Sequence, residues 1–467
     1  MSECDVIVIG GGPAGEVVAG RCADGGLEVV LVEAELVGGE CSYWGCIPSK
    51  TLIRPGDVIA AARRVPGAAQ AITGPIDVAA ALARRDEMTS NWTDTDALPW
   101  LEEHHVELVR GHCRLVGKRA VDVAVDVDGA DGDVRHLIAR RAVVVATGTV
   151  AAIPPLPGLR ESEPWDNRTA TEAKEVPRRL LVLGGGAIGA ELAQAFRRLG
   201  ADEVTVIEAL DRLLANEEPF AGDEVRTAFE AEGITVLTGA KLAACRRDAS
   251  DGSVTATLED GRELVGDEIL VAVGRRPTTV AIGVEAVGLE PGKYLAVDDQ
   301  MRVEGVDGDW LYAVGDCNGR ALLTHMGKYQ ARIAADVILG KEAADIADHD
   351  MIPRVIFTDP QVCAVGLTEA EARKKGINIR VVSFPTGDVS GASTLGEGII
   401  GTSQLVIDDT RRVIVGATFT GPSMQELLHS ATIAIVGELT LDQLWHAVPS
   451  FPTVSEVWLR LLEALPL

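Results

Sequence analysis

Aromatic side chains are scarce in this sequence, at 4% of 467 residues, and basic residues are outnumbered, 43 against 70 acidic ones. A net charge of −27 repels phosphate backbones and anionic headgroups, which argues against nucleic acid and membrane surfaces as partners. No apolar run reaches the roughly 18 residues that a membrane-spanning helix needs. The N-terminus, "MSECDVIVIGGGPAG", has neither a basic flank nor an apolar leader with a cleavage site, so a cytoplasmic protein is expected. Low-complexity tracts are missing, which excludes a disordered chain. Cysteine is thinly spread, at positions 4, 22, 41, 46, 113, 245, 317 and 363, and this excludes a disulfide scaffold.

What the sequence has is glycine, 50 residues of it, in a background that is 47% apolar and 24% charged. That mixture belongs to a globular α/β protein with many tight turns, and 467 residues allow about three domains at roughly 150 residues each.

The glycines concentrate where they carry chemistry. "DVIVIGGGPAGEVVAGRCADGGLEVVLVEAE" reads as an apolar strand, a G-x-G-x-x-G turn through Gly10, Gly12 and Gly15, and a helix opened by Pro13 and Ala14. A second strand then closes on Glu33, eighteen residues past Gly15. Glycines so spaced allow a tight turn and close approach to a pyrophosphate. The helix start supplies N–H groups, and the acid suits a ribose hydroxyl. The pattern recurs in "RRLLVLGGGAIGAELAQAFRRLGADEVTVIEALDRLL", with Gly184, Gly186, Gly189 and, nineteen positions on, Glu208. Two fingerprints predict two dinucleotides. Glu208 accepts from a free 2′-hydroxyl and repels a 2′-phosphate, so NADH rather than NADPH is expected at the second site, with Arg212 able to soften the preference.

Each fingerprint is followed by an apolar strand ending in a small-residue turn: "RRAVVVATG", with Thr147 and Gly148, and "DEILVAVGRRPTT", with Gly274, Arg275 and Pro277. A further segment, "WLYAVGDCNGRALLTHMGKYQARIAADVILG", runs strand, Gly315-Asp316, loop and amphipathic helix. This order predicts a first dinucleotide domain from residues 1–150 and 280–345, a second from 151–279 inserted within it, and a third from 346–467.

In "GGECSYWGCIPSKTL", Cys41 and Cys46 sit five positions apart behind Gly39. Three readings are open. A zinc site usually needs a second Cys or His set, and none lies nearby in the sequence. A structural disulfide across so short a gap would constrain the unfolded chain little. A redox pair is the third, with a helix N-terminus lowering the Cys46 pKa and Pro48 suited to the first turn. Lys50 and Glu191, each just inside a helix start, read on their own as surface charges.

The ordered motifs "GGGPAG", "GGECSYWGCIPSK", "ATG", "GGGAIGAE", "VAVGRRP", "YAVGDC", "FTDPQVCAVGLTEAEA" and "FPTVSE" resemble those of the FAD-dependent pyridine nucleotide-disulfide oxidoreductases. This is the family of dihydrolipoamide dehydrogenase, glutathione reductase and mercuric reductase. The resemblance implies an α/β fold of two Rossmann-like domains, for FAD and NAD(P)H, with a C-terminal α+β domain that forms a homodimer. It implies that Gly10, Gly12, Pro13, Ala14, Gly15 and Glu33 serve FAD, together with Gly39, Thr147, Gly148 and Asp316, and that Gly184, Gly186, Gly189, Glu208 and Gly274 serve NADH. Cys41 becomes the interchange thiol and Cys46 the charge-transfer thiol. Lys50 is similar to the family lysine at the flavin, and Glu191 to its ion-pair partner.

One position departs from the family. Where the family ends in His-Pro-Thr-x-x-Glu, this chain reads "FPTVSE", which places Phe451 at the histidine and keeps Glu456. His446 and His429 lie too far upstream to match, and the last cysteine is Cys363, so the C-terminal cysteine pair of mercuric reductases is absent too. General acid–base catalysis contributes about 10²–10⁴-fold, so ordinary dithiol release is expected to be slow. The expected function is electron transfer from NADH through FAD and Cys41–Cys46 to a small-molecule disulfide or another acceptor. The alternatives are a quinone, metal or dye reductase, a carboxylase-like flavoenzyme, or a slow redox sensor. Tyr43 and Trp44, between the cysteines, read either as packing residues or as a substrate wall.

Overall fold

The computed structural model describes residues 2–124, 134–347 and 349–465. The chain forms two compact units, one from Met1–Pro48, Arg85–Ala152 and Gly274–His349, the other from Ser49–Arg84, Ile153–Val273 and Asp350–Leu467. No helix among the described residues is long and apolar enough to cross a membrane.

In the first unit, β1 (Ser2–Ile9) lies inside a seven-stranded sheet. On one side it pairs in parallel with β2 (Val29–Glu33), which pairs with Glu107–Arg110; on the other it pairs with Val134–Val145, whose far end also takes Leu311–Ala313. The near end of Val134–Val145 turns antiparallel to Ala120–Ala124. Strands covered on both faces need no polar alternation, which is why "DVIVI" and "AVVV" are continuous β-branched runs. Val6, Ile7, Val8, Val143, Val144 and Val145 are all fully buried. Helix α1 (Pro13–Asp24) packs against the helix Thr324–Ile338.

The second unit repeats the theme. Arg179–Leu183 is flanked by Glu203–Ile207, then Ile234–Leu237, and on its other edge by Glu268–Val271, all parallel. An antiparallel meander, Leu242–Arg247, Val254–Leu258 and Glu263–Gly266, follows. A five-stranded antiparallel sheet runs in the order Pro353–Ile356, Gln361–Gly366, Val413–Gly421, Thr402–Asp408, Ile379–Pro385. The helix Met424–Val436 buries Leu427, Leu428 and Ala431 in the core beside that sheet. Two nucleotide-type sheets with parallel cores, the first carrying an antiparallel edge, and a C-terminal α+β portion are the architecture that the sequence predicts.

Both fingerprints depend on missing side chains in the same way. A Cβ at Gly15 would stand 1.9 Å from the Gly10 carbonyl oxygen, and one at Gly189 2.0 Å from that of Gly184. Backbone on either side leaves nothing to yield. Gly15→Ala is therefore expected to cost about 3 kcal/mol of stability, read as a lowered Tm in thermal unfolding; an unchanged Tm would show that the helix can lift off the strand freely.

Candidate functional site

The first fingerprint loop leaves β1 at Gly10, whose φ of +102° only glycine adopts easily. Gly12 caps α1 without a side-chain acceptor, so the first N–H groups of the helix have no protein partner of that kind. Glu33 already grips the loop: one carboxylate oxygen accepts from Gly11 N–H at 2.6 Å and the other from Glu35 N–H at 2.7 Å. Burial pushes its pKa up against those two bonds. Gly39 closes on the same loop, since a Cβ there would come within 2.8 Å of the Gly12 Cα. Beyond the next strand, the Thr147 hydroxyl is buried with no hydrogen-bond partner. Asp316 accepts from the Thr149 hydroxyl at 2.7 Å, its pKa raised by burial. An uncapped helix start, an orphaned buried hydroxyl and placed carboxylates fit a dinucleotide such as FAD.

In the same unit, helix α2 (Gly39–Tyr43) carries Cys41, and Cys46 opens α3 (Cys46–Arg63), whose residues from Ser49 on belong to the second unit. Gly45 joins them where a Cβ would be 3.0 Å from the Glu40 carbonyl oxygen and 3.3 Å from the Cys41 Cα. A side chain there would drive the two cysteine-bearing helices apart. Both thiols are half-buried. The Cys41 pKa is raised, first by its hydrogen bond with the Cys46 sulfur and then by burial, while the Thr324 hydroxyl works in the opposite direction. Cys46 Sγ lies 3.3 Å from Thr324 Oγ1, at the start of Thr324–Ile338. Among the described residues the one group of three or more possible metal ligands, Asp299, Asp345 and His349, does not include this pair.

Tyr43 and Trp44 are 6% and 8% exposed and meet edge to face, with ring centroids 5.7 Å apart. Both aromatics are thus packed into the interior of their unit. Close by, Ser90, Asn91 and Trp92 all hold positive φ, at 48°, 52° and 54°. Left-handed backbone costs non-glycine residues roughly 1–2 kcal/mol each, so this turn is held by its surroundings.

In the second unit, Gly184 has φ +106° and Gly186 caps the helix Ala187–Leu199 without a side chain. Glu208 copies Glu33: its carboxylate accepts from Gly185 N–H at 2.6 Å and Leu210 N–H at 2.7 Å. Arg212 donates to the carbonyls of Ala215 and Glu217 at 2.7 and 3.1 Å. Lys50, its side chain 35% exposed, is paired with the buried Glu191 rather than solvated alone. Glu191 is 5% exposed, accepts from Lys50 Nζ at 2.6 Å and fixes the Phe357 N–H at 2.9 Å, while the ammonium stands 4.9 Å from the Phe357 ring centroid.

At the C-terminal end of that unit, Phe451 is 75% exposed and Val448 85%. Glu456 is buried, accepting from Arg460 at 2.7 Å and from Ser390 N–H at 3.2 Å. The carboxylate is thus committed to its own domain. His429 and His446 are exposed.

Sequence reasoning gave no role to Arg275, Glu40 or Thr324. In the first unit Arg275 donates to the Thr149 hydroxyl and carbonyl, both at 2.7 Å, and to Glu40 at 3.2 Å, within 4.0 Å of Asp316. This guanidinium links the residue before Cys41 to the Asp316 turn. The Arg in "VAVGRRP" and the Thr opening an amphipathic helix were visible signals, but their partners are 126 or more residues away.

The profile described as pyridine nucleotide-disulphide oxidoreductase matches residues 4–333, and that of the dimerisation domain of the same family matches 352–461. The chain is 35% identical over 470 residues to a dihydrolipoyl dehydrogenase of Thermus scotoductus, covering 100% of this chain and 98% of the relative. It is 29% identical over 456 residues to a mercuric reductase of Staphylococcus aureus, covering 97% and 81%. Among solved structures, LpdA from Mycobacterium tuberculosis superposes with a TM-score of 0.86 at 26% identity, covering 98% of this chain and 99% of that one. The HOCl-induced flavoprotein disulfide reductase RclA from Escherichia coli, at TM-score 0.85 and 24% identity over 99% and 100% of the chains, shares the fold. With a twice-used nucleotide fold, an apposed cysteine pair and matches that run nearly end to end, the chain belongs to the FAD-dependent pyridine nucleotide-disulphide oxidoreductase family.

Proposed function

We propose that this protein passes electrons from NADH through FAD to the Cys41–Cys46 pair and on to an acceptor that does not depend on a histidine acid at the exchange thiol. The observation that carries the reading is the placement of Cys41 on α2 and Cys46 at the start of α3, joined through the tight turn at Gly45, with Gly39 of α2 closing on the first fingerprint loop. When bound, FAD supplies the two-electron relay between a nicotinamide hydride and a disulfide.

The chain's own residues do the rest. Reduced Cys41 attacks one sulfur of an acceptor disulfide and a first thiolate leaves. Cys46 then attacks Cys41, restoring the Cys41–Cys46 disulfide and releasing the second thiol. Two electrons and two protons pass to the acceptor. The neighbouring Cys46 sulfur, then burial, push the Cys41 thiol above its ordinary pKa, so its thiolate is disfavoured in the resting pair. Lys50 and Glu191 hold opposite charges together at 2.6 Å, so the helix start beyond Cys46 carries a cation in a fixed place.

A homodimer completes the reading. The dimerisation domain exposes Ile433, Val436, Trp445, Val448 and Phe451, an apolar set that a second copy would cover. In that arrangement Phe451 faces the partner's exchange thiol, where it gives no proton. This favours a second reading of the acceptor: a quinone, dye or metal ion that takes electrons without needing a protonated leaving thiol.

The test is NADH oxidation by the purified dimer with lipoamide, glutathione disulfide, quinones and metal ions in turn, each repeated with NADPH. We expect kcat/KM for NADH to exceed that for NADPH by about tenfold or more, because Glu208 would oppose a 2′-phosphate and one arm of the Arg212 guanidinium is turned to the carbonyls of Ala215 and Glu217. Preference for NADPH would overturn the coenzyme assignment; turnover on none of the acceptors would favour a sensor.

A further inference from the structure

The left-handed turn at Ser90–Trp92 has no part in the chemistry described so far, yet what it touches is the segment that carries Cys41. Trp92 Nε1 donates to the Tyr43 carbonyl at 3.2 Å. Two residues on, the Asp94 carboxylate accepts from Val37 N–H at 2.8 Å and is ion-paired with Arg110. The Tyr43 hydroxyl donates to the Val37 carbonyl at 3.0 Å. Val37 and Tyr43 bracket the whole of α2, so these bonds fasten both ends of the short helix bearing Cys41 to one external loop.

The loop is itself braced. Trp92 N–H donates to the Thr89 carbonyl at 2.9 Å and Thr93 N–H to that of Ser90 at 3.1 Å. The guanidinium of Arg85, a residue wholly shielded from solvent, lies 5.2 Å from the Trp92 ring centroid. Backbone held in so sparsely populated a region persists only where its surroundings over-determine it, and here the surroundings converge on α2.

We propose that Trp92 and Asp94 are positioning residues for Cys41: they clamp α2 so that its thiol stays at high effective concentration beside Cys46. The proposal rests on the redox-pair reading above. A thiol on a tethered segment meets its partner more often than one on a loose segment, so the clamp favours the disulfide over the dithiol. It also gives Tyr43 a task, as the ligature between the two ends of α2.

The experiment equilibrates the purified holoprotein in buffers of oxidised and reduced dithiothreitol. Samples are quenched by alkylation, and the oxidation state of the Cys41–Cys46 peptide is read by mass spectrometry. Trp92→Phe removes one N–H while keeping a ring over Arg85; Asp94→Ala removes the Val37 tether; Asp94→Asn keeps an oxygen that can accept from Val37 N–H. We expect the disulfide formation constant to fall about tenfold when Trp92→Phe and Asp94→Ala are combined, a rise in potential of about 30 mV. Asp94→Asn should stay within about twofold of wild type. Should the Asp94→Ala protein not fold, Trp92→Phe alone decides, with a fall of about threefold or more supporting the clamp. Constants equal to wild type in these variants, whatever their Tm, would overturn it. A wild-type protein that forms no Cys41–Cys46 disulfide in any buffer would sink the redox-pair reading itself, and is seen before any variant is made.

Discussion

Cys46→Ser is expected to lower NADH-dependent reduction of small disulfides by roughly 10³-fold or more, because it removes the group proposed above to resolve the mixed disulfide on Cys41. Serine is close in size, and Cys46 sits at the start of α3 with its sulfur 3.3 Å from the Thr324 hydroxyl, so the helix start should survive. The mutant is assayed beside wild type with lipoamide and with a quinone after matching bound flavin. Loss of disulfide turnover with retained quinone turnover separates the cysteine route from direct electron transfer. Equal disulfide turnover in both proteins would remove Cys46 from the mechanism.

Phe451→His is expected to raise lipoamide reduction by about tenfold, toward the lower end of what general acid–base catalysis contributes. The gain stays small because Glu456, the acid that the family resemblance would pair with such an imidazole, already accepts from Arg460 and from Ser390 N–H. A histidine at 451 must share that carboxylate or work unoriented. The measurement is kcat/KM for lipoamide across pH, where the mutant should gain a limb titrating near the histidine range that wild type lacks. If wild type already reduces lipoamide as fast as the mutant, Phe451 does not limit proton transfer, and His446 becomes the residue to replace.

Much of this was legible because the decisive features are local in sequence. Gly10 to Gly15 and Gly184 to Gly189 are set by sterics within a single strand–turn–helix, so their spacing alone predicts the loops that the structure shows. The continuous hydrophobic runs of the sheets likewise announce strands covered on both faces. What the sequence could not show were meetings between distant segments. Lys50 and Glu191 are 141 positions apart, and whether they are solvated or paired depends on a fold that neither residue encodes. Tyr43 and Trp44 had two readings because a large aromatic between cysteines fits a wall or a core equally well, and their burial depends on segments distant in sequence. The positive φ values at Ser90 to Trp92 left no mark, since no glycine or Asn-Gly pair announces them.

The carboxylates of Glu33 and Glu208 make the last point. Each is bound to an amide of its own glycine loop, Gly11 or Gly185, so each acid is part of the wall that it is expected to use for recognition. For protein engineering this couples two properties that are usually tuned separately. Exchanging Glu208 for a small or basic residue to admit a phosphorylated nicotinamide nucleotide would also release the Gly185 and Leu210 amides, slackening the loop whose shape makes the site. A coenzyme switch in this chain therefore needs two substitutions: one to welcome the phosphate and one to return an acceptor to those amides.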